Sequence, residues 1–153
     1  MRHRTMASIL IVAHAPLASS LHAVAQHVFP DCSRHLASLD VESGAGLEAV
    51  EARVRAALLA ADGEVLILAD VFGATPCNAA LAAADGQRAR VVAGVNVPML
   101  WRTLCYAASP LEDLVSRAVI GGTQGVMSVS VPRRQNQPNS PGIDDQVQYH
   151  HQQ

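Results

Sequence analysis

The sequence predicts an α/β fold: an open, mainly parallel sheet with helices on both of its faces. Short, continuous apolar runs such as Ile9-Leu10-Ile11-Val12-Ala13 and Val65-Leu66-Ile67-Leu68-Ala69 look like strands buried on both sides. Between them, apolar residues recur at helical spacing, as at Leu47, Val50, Val54, Leu58 and Leu59. The two kinds of segment alternate along the chain, the signature of strand–helix–strand units. Right-handed crossovers then limit how such units can be joined.

Taken in order, Ser8 to Ala13 is the first strand. Pro16 and Leu17 open a helix that runs to about Val28, where Phe29-Pro30-Asp31 stops it. His35 to Val41 reads as a second, weaker strand, and Gly44 and Gly46 mark the loop into the next helix, which ends at Asp62-Gly63. The third strand, Glu64 to Ala69, runs into Asp70-Val71-Phe72-Gly73-Ala74-Thr75-Pro76, and Pro76 suits the first position of a helix. That helix ends near Asp85-Gly86. Arg90 to Gly94 is the fourth strand, with Val95 to Pro98 as its exit.

Helices follow over Pro98 to about Ala107 and Pro110 to about Ile120. Gly121-Gly122 is expected to break the pattern, with Gly121 to Gly125 a flexible connection and Val126 to Val131 a last strand. From about Pro132 the composition turns to repeated Gln and Asn with almost no apolar residues, which predicts a disordered polar tail over 132–153. The folded unit is then 6–131. Met6 is a candidate native start, because the residues before it lack pattern.

Composition narrows the function classes. A chain of 153 residues, half of them hydrophobic, buries a core as one domain. No apolar run approaches the ~20 residues of a membrane span, and the run behind the charged N-terminus is too short for a signal peptide. The expected location is the cytoplasm, with no membrane insertion. The net charge is -2, and the eleven basic residues, all arginine, are scattered, so nucleic acid is not an expected partner. Cys32, Cys77 and Cys105 are far apart in sequence and suit a reducing compartment; they suggest neither a disulfide framework nor a zinc site. No histidine pair has metal-site spacing, so no metal is expected.

In open α/β sheets, ligands bind beyond the carboxyl ends of the strands, where successive connections diverge. The residues placed there are His14 after the first strand, Asp70, Gly73 and Thr75 after the third, and Asn96 after the fourth; the second offers Asp40 and Glu42. If the first and third strands are neighbours, Asp70 faces His14. A carboxylate that accepts a hydrogen bond from one imidazole nitrogen leaves the other as a nucleophile. Gly73 lets backbone approach a ligand, and a helix start at Thr75 suits an anion. Together these suggest phosphoryl transfer through a phosphohistidine.

Each residue also has a plainer reading. A histidine after a strand is more often structural, Asp before Gly is common turn chemistry, and Thr75-Pro76 is an ordinary helix start with Thr as its cap. His22 and His27 lie five apart on one helix and do not share a face squarely. His35 reads as a strand residue, and His150 and His151 fall in the tail. Cys77 follows the anion loop, where an inert buried thiol is the commoner outcome.

At these residues the sequence resembles the IIA component of the mannose-family sugar phosphotransferase system, over about Met6 to Val131. Three stretches carry the resemblance: Ile11 to Ala15, Asp70 to Asn78, and Ala93 to Leu100. It implies that His14 takes a phosphoryl group from phospho-HPr and passes it to a histidine of a IIB partner. Asp70 would orient the ring, and Thr75 would help hold the phosphate; Gly73 and Asn96, on the same rim, are the other expected substrate-binding residues. It implies sheet order 2-1-3-4, a dimer in which the last strand, here Val126 to Val131, is exchanged between subunits, and no cofactor. Cys77 stands where many relatives carry Phe or another residue. No IIB-like stretch follows, so the IIB partner is expected to be a separate chain. Without one, the protein would be a regulatory sensor of phosphorylation state that binds a partner. A flavodoxin-like enzyme is disfavoured, because Ala13-His14-Ala15-Pro16 lacks the residues of a nucleotide or flavin loop. The related phosphotransferase subunit of dihydroxyacetone kinases matches Asp70 to Pro76 less well.

Overall fold

The first apolar run forms β1 (Ser8–His14), an interior strand of a four-stranded sheet. A computed structural model of the chain describes residues 6–133. After β1 come α1 (Leu17–Val28), a single 3₁₀ turn (Ser33–His35), β2 (Leu36–Val41), α2 (Leu47–Ala60) and β3 (Val65–Ala69). The chain continues through α3 (Thr75–Ala83), β4 (Ala89–Ala93), α4 (Val97–Cys105) and α5 (Leu111–Gln124). The sheet runs β2-β1-β3-β4 with every neighbouring pair parallel. Ile9 is in register with Leu36 on one side and Leu66 on the other. This is the order that the family resemblance implies.

Side chains alternate across a strand, so each strand feeds two separate cores. Ile9, Ile11, Leu66 and Leu68 pack with Leu21, Leu100 and Leu114 under α1, α4 and α5. Leu10, Val12, Val65 and Ile67 pack with Val50, Val54, Ala79 and Ala80 under α2 and α3. Each buried Val, Leu or Ile side chain among these contributes roughly 2 kcal/mol by leaving water. From β1 the chain crosses through α1 to β2 on one side; from β3 it crosses through α3 to β4 on the other. The two connections diverge, and the carboxyl ends of β1 and β3 bound the crevice between them.

Four expectations need correction. Gly121 and Gly122 do not end a helix: α5 runs through them to Gln124. A Cβ on Gly121 would lie 2.8 Å from Arg102 Cβ, and one on Gly122 would lie 2.8 Å from Met99 Cε. These glycines let α5 approach α4 closely, which outweighs their helix cost of about 1 kcal/mol each. The segment Val126 to Val131 pairs with no strand among the described residues, and Val126, Met127, Val129 and Val131 are each more than two-thirds exposed. His35 belongs to the 3₁₀ turn rather than to β2. Thr75 is not a cap; Ala74 holds that position with no capping side chain. Residues 134–153, with most of the tail and His150 and His151, lie outside the described residues, as do the residues before Met6. Among the described residues no helix is long and apolar enough to cross a membrane, and no three potential ligands gather to hold a metal.

Candidate active site

His14 is the last residue of β1, and Asp70 follows the last residue of β3. Because the two strands are adjacent, residues 56 apart in sequence meet. Asp70 Oδ2 lies 2.6 Å from His14 Nδ1 and also accepts the His14 backbone N–H at 3.0 Å. Asp70 Oδ1 accepts the Val71 N–H at 2.8 Å. A carboxylate only accepts, so Nδ1 carries a proton, and in the neutral ring the lone pair is then on Nε2. The His14 side chain is 52% exposed and that of Asp70 only 12%. The orienting group is therefore sheltered and the reactive ring is open to a partner.

Burial pushes the Asp70 carboxyl upward. Hydrogen bonds from the His14 backbone and ring and from Val71, with the attraction of the imidazole, outweigh that and hold it below the usual carboxylate range. Asp70 is thus a firm anion at neutral pH. The loop behind it is fixed as well: the Gly94 N–H reaches the carbonyls of Ala69 at 2.9 Å and Asp70 at 3.1 Å.

Between Asp70 and α3 the chain turns through Gly73 at φ 89°, a left-handed conformation that a side chain disfavours. No side chain caps the start of α3, so its first-turn amides carry the unanswered positive end of the helix. Thr75, half-buried, opens this turn. Cys77, in the same turn, is buried. Burial holds its thiol above the ordinary range, against a hydrogen bond from Gly73, and the Asp70 charge adds to the rise. That makes Cys77 an inert packing residue. Phe72 is 78% exposed and Val71 is also exposed, giving the loop an apolar tip.

Asn96 is used differently. Its Oδ1 caps α4 by accepting the Met99 N–H at 2.9 Å, and its Nδ2 donates to the Gly122 carbonyl at 3.1 Å. It lines a cleft of about 300 Å³ with Val92, Met99, Gly122 and Val126, a lining that includes neither His14 nor Asp70. The structure therefore gives Asn96 a helix-fixing role.

The position of α1 rests on a residue that sequence reading noted without a role. The residue before α1, Pro16, offers no capping side chain, and Asp40 of β2 accepts the Ser19 N–H at 3.0 Å instead. The hydrogen bonding of Ser19 keeps the Asp40 carboxyl below its ordinary range, with a smaller lowering contribution from Arg53. A carboxylate at a strand end facing Ser in the first turn of a neighbouring helix is the signal that could have found it.

The family model EIIA-man, described as the PTS system fructose IIA component, matches residues 8–119. The PTS system fructose-specific EIIA component of Bacillus subtilis is 32% identical over 115 residues, covering 72% of this chain and 78% of that protein. The PTS system mannose-specific EIIAB component of Escherichia coli is 40% identical over 68 residues, which is 42% of this chain and 21% of that protein. Among solved structures, the mannose/sorbose specific IIA subunit of the phosphotransferase system from Enterococcus faecalis superposes with a TM-score of 0.77 at 25% identity, over 85% of this chain and 99% of that one.

Proposed function

Because the chain belongs to the mannose- and fructose-type IIA family of the sugar phosphotransferase system, we propose that it is a histidine phosphocarrier: His14 takes a phosphoryl group from phospho-HPr and passes it to a histidine of a IIB component. The observation that carries this reading is the 2.6 Å contact between Asp70 Oδ2 and His14 Nδ1, which leaves Nε2 free on a half-exposed ring.

The Nε2 lone pair attacks the phosphorus of the donor's phosphohistidine. A P–N bond forms on His14, the donor's P–N bond breaks, and its electron pair returns to the donor imidazole. As His14 gains positive character, Asp70 stabilises it through the Nδ1–H. The uncapped first turn of α3 and the Thr75 hydroxyl that opens it would receive the phosphoryl oxygens, and Gly73, with no side chain, lets them approach. Transfer onward reverses the same steps with the acceptor's imidazole as nucleophile. Positioning and electrostatics supply the catalysis, and the chemistry calls for no metal or cofactor. The working unit is 6–131, in the cytoplasm.

Incubation with phospho-HPr is expected to give an acid-labile, base-stable phosphoprotein, and His14→Ala to give none. Equal labelling of the two proteins would sink the proposal.

The reading extends to a homodimer. The outer edge of β4 pairs with no strand among the described residues, and the apolar, exposed run Val126 to Val131 starts beside it. A second copy's run added to that edge would cover both. Sedimentation is expected to show a dimer that becomes monomeric when the chain is cut after Gly125. A wild type that stays monomeric at all concentrations would overturn the exchange.

A further inference from the structure

Cys32 and Cys105, far apart in sequence, come together on the face of the sheet that holds α1 and α4. Phe29, just past α1, stacks on Trp101 of α4 with ring centroids 5.4 Å apart and planes within 15°. The chain then turns so that the Cys32 N–H bonds the Phe29 carbonyl at 3.1 Å. On the other side Cys105 stands one helical turn beyond Trp101. The aromatic stack thus brings the two thiols to one corner of the fold, close enough for the Cys32 sulfur to act on the Cys105 thiol. Cys32 is half-buried, whereas Cys105 is exposed and lines a cleft of about 670 Å³ with Trp101, Tyr106 and Met127, through which a small oxidant can reach it.

We propose that Cys32 and Cys105 are a dithiol modification site that closes to a reversible intramolecular disulfide on exposure to a peroxide. The Cys105 thiolate attacks one peroxide oxygen; the O–O bond breaks, and the other oxygen leaves as water after taking a proton. The resulting sulfenic acid is attacked by the Cys32 sulfur; the S–S bond forms, the S–O bond breaks and a second water leaves. Two thiols and one hydrogen peroxide become one disulfide and two waters. Burial, first, and then the neighbouring Cys32 hold the Cys105 thiol above its ordinary range, against smaller lowering contributions from Trp101 and Arg102. The thiolate fraction at neutral pH is therefore small, so the pair responds slowly and to strong oxidant. Cys77, buried in α3, takes no part.

The test uses the full chain, treated with hydrogen peroxide at mildly alkaline pH, alkylated and digested with trypsin without reduction. Cleavage at Arg34, Arg55, Arg88, Arg102 and Arg117 puts the three cysteines on three different peptides. The expected product is the Cys32 peptide joined to the Cys105 peptide. Titratable thiols fall from three to one and return with dithiothreitol. Cys77→Ser is expected to behave as the wild type, and Cys32→Ser to lose the cross-link. A disulfide joining two copies, over-oxidised Cys105 beside a Cys32 that still alkylates, or three unreacted thiols would each overturn the proposal.

Discussion

Two turns leave the same rim of the sheet, one after β3 and one after β4, and both enter a helix that has proline in its first two positions. After β4, Asn96 turns inward: its oxygen caps α4 and its amide holds the Gly122 carbonyl, so both ends of the side chain are committed. After β3, Asp70 reaches across to His14 and leaves α3 without a capping side chain. The first turn is closed and structural. The second keeps its helix amides and an imidazole nitrogen available. A polar residue at a strand end thus says little by itself. What matters is whether the protein has already used its bonding capacity.

The comparison breaks most visibly at Asp70. Asp70→Ala is expected to slow phosphoryl transfer by about a hundredfold while the domain still folds, the order found when one preorganised electrostatic partner is lost. Stopped-flow transfer at unchanged rate would remove the orienting role. Asn96→Ala should do the opposite. It loses a helix cap, and denaturant unfolding is expected to show about 1–2 kcal/mol less stability, with transfer per folded molecule unchanged. A rate loss matching that of Asp70→Ala would make the two turns functionally alike.

The smallest effect is one of pH. The Asp70 carboxyl titrates lower in the folded protein than its ordinary value of about 3.9. Its stabilising contribution is therefore complete above that value and is lost as pH falls through the depressed folded one. The stability gap between wild type and Asp70→Ala should persist from neutral pH down to about 4 and then narrow. A gap that closes already between pH 7 and about 5 would contradict the depressed carboxyl.

Much of this was legible because strands buried on both faces leave no polar positions, so β1 and β3 stand out as apolar runs. The His14–Asp70 pairing needed one further rule, that the rim of an α/β sheet gathers strand ends. What failed depended on partners remote in sequence. Gly121-Gly122 looks like a helix stop until α4 is seen lying against it. Asn96 looks available until the Gly122 carbonyl, 26 residues on, takes its amide. Val126 to Val131 carries strand residues, but a strand needs a neighbour, and this chain alone supplies none among the described residues. Cys32 and Cys105 look isolated because nothing local reveals that α1 and α4 lie on one face.

One carboxylate oxygen, Asp70 Oδ2, receives both the ring N–H and the main-chain N–H of the same histidine. Any redistribution of charge on the imidazole changes how strongly that oxygen draws on the backbone proton as well. The main-chain amide of His14 is therefore a built-in reporter, and its nuclear magnetic resonance should move with the occupancy of the ring without any label added to the protein.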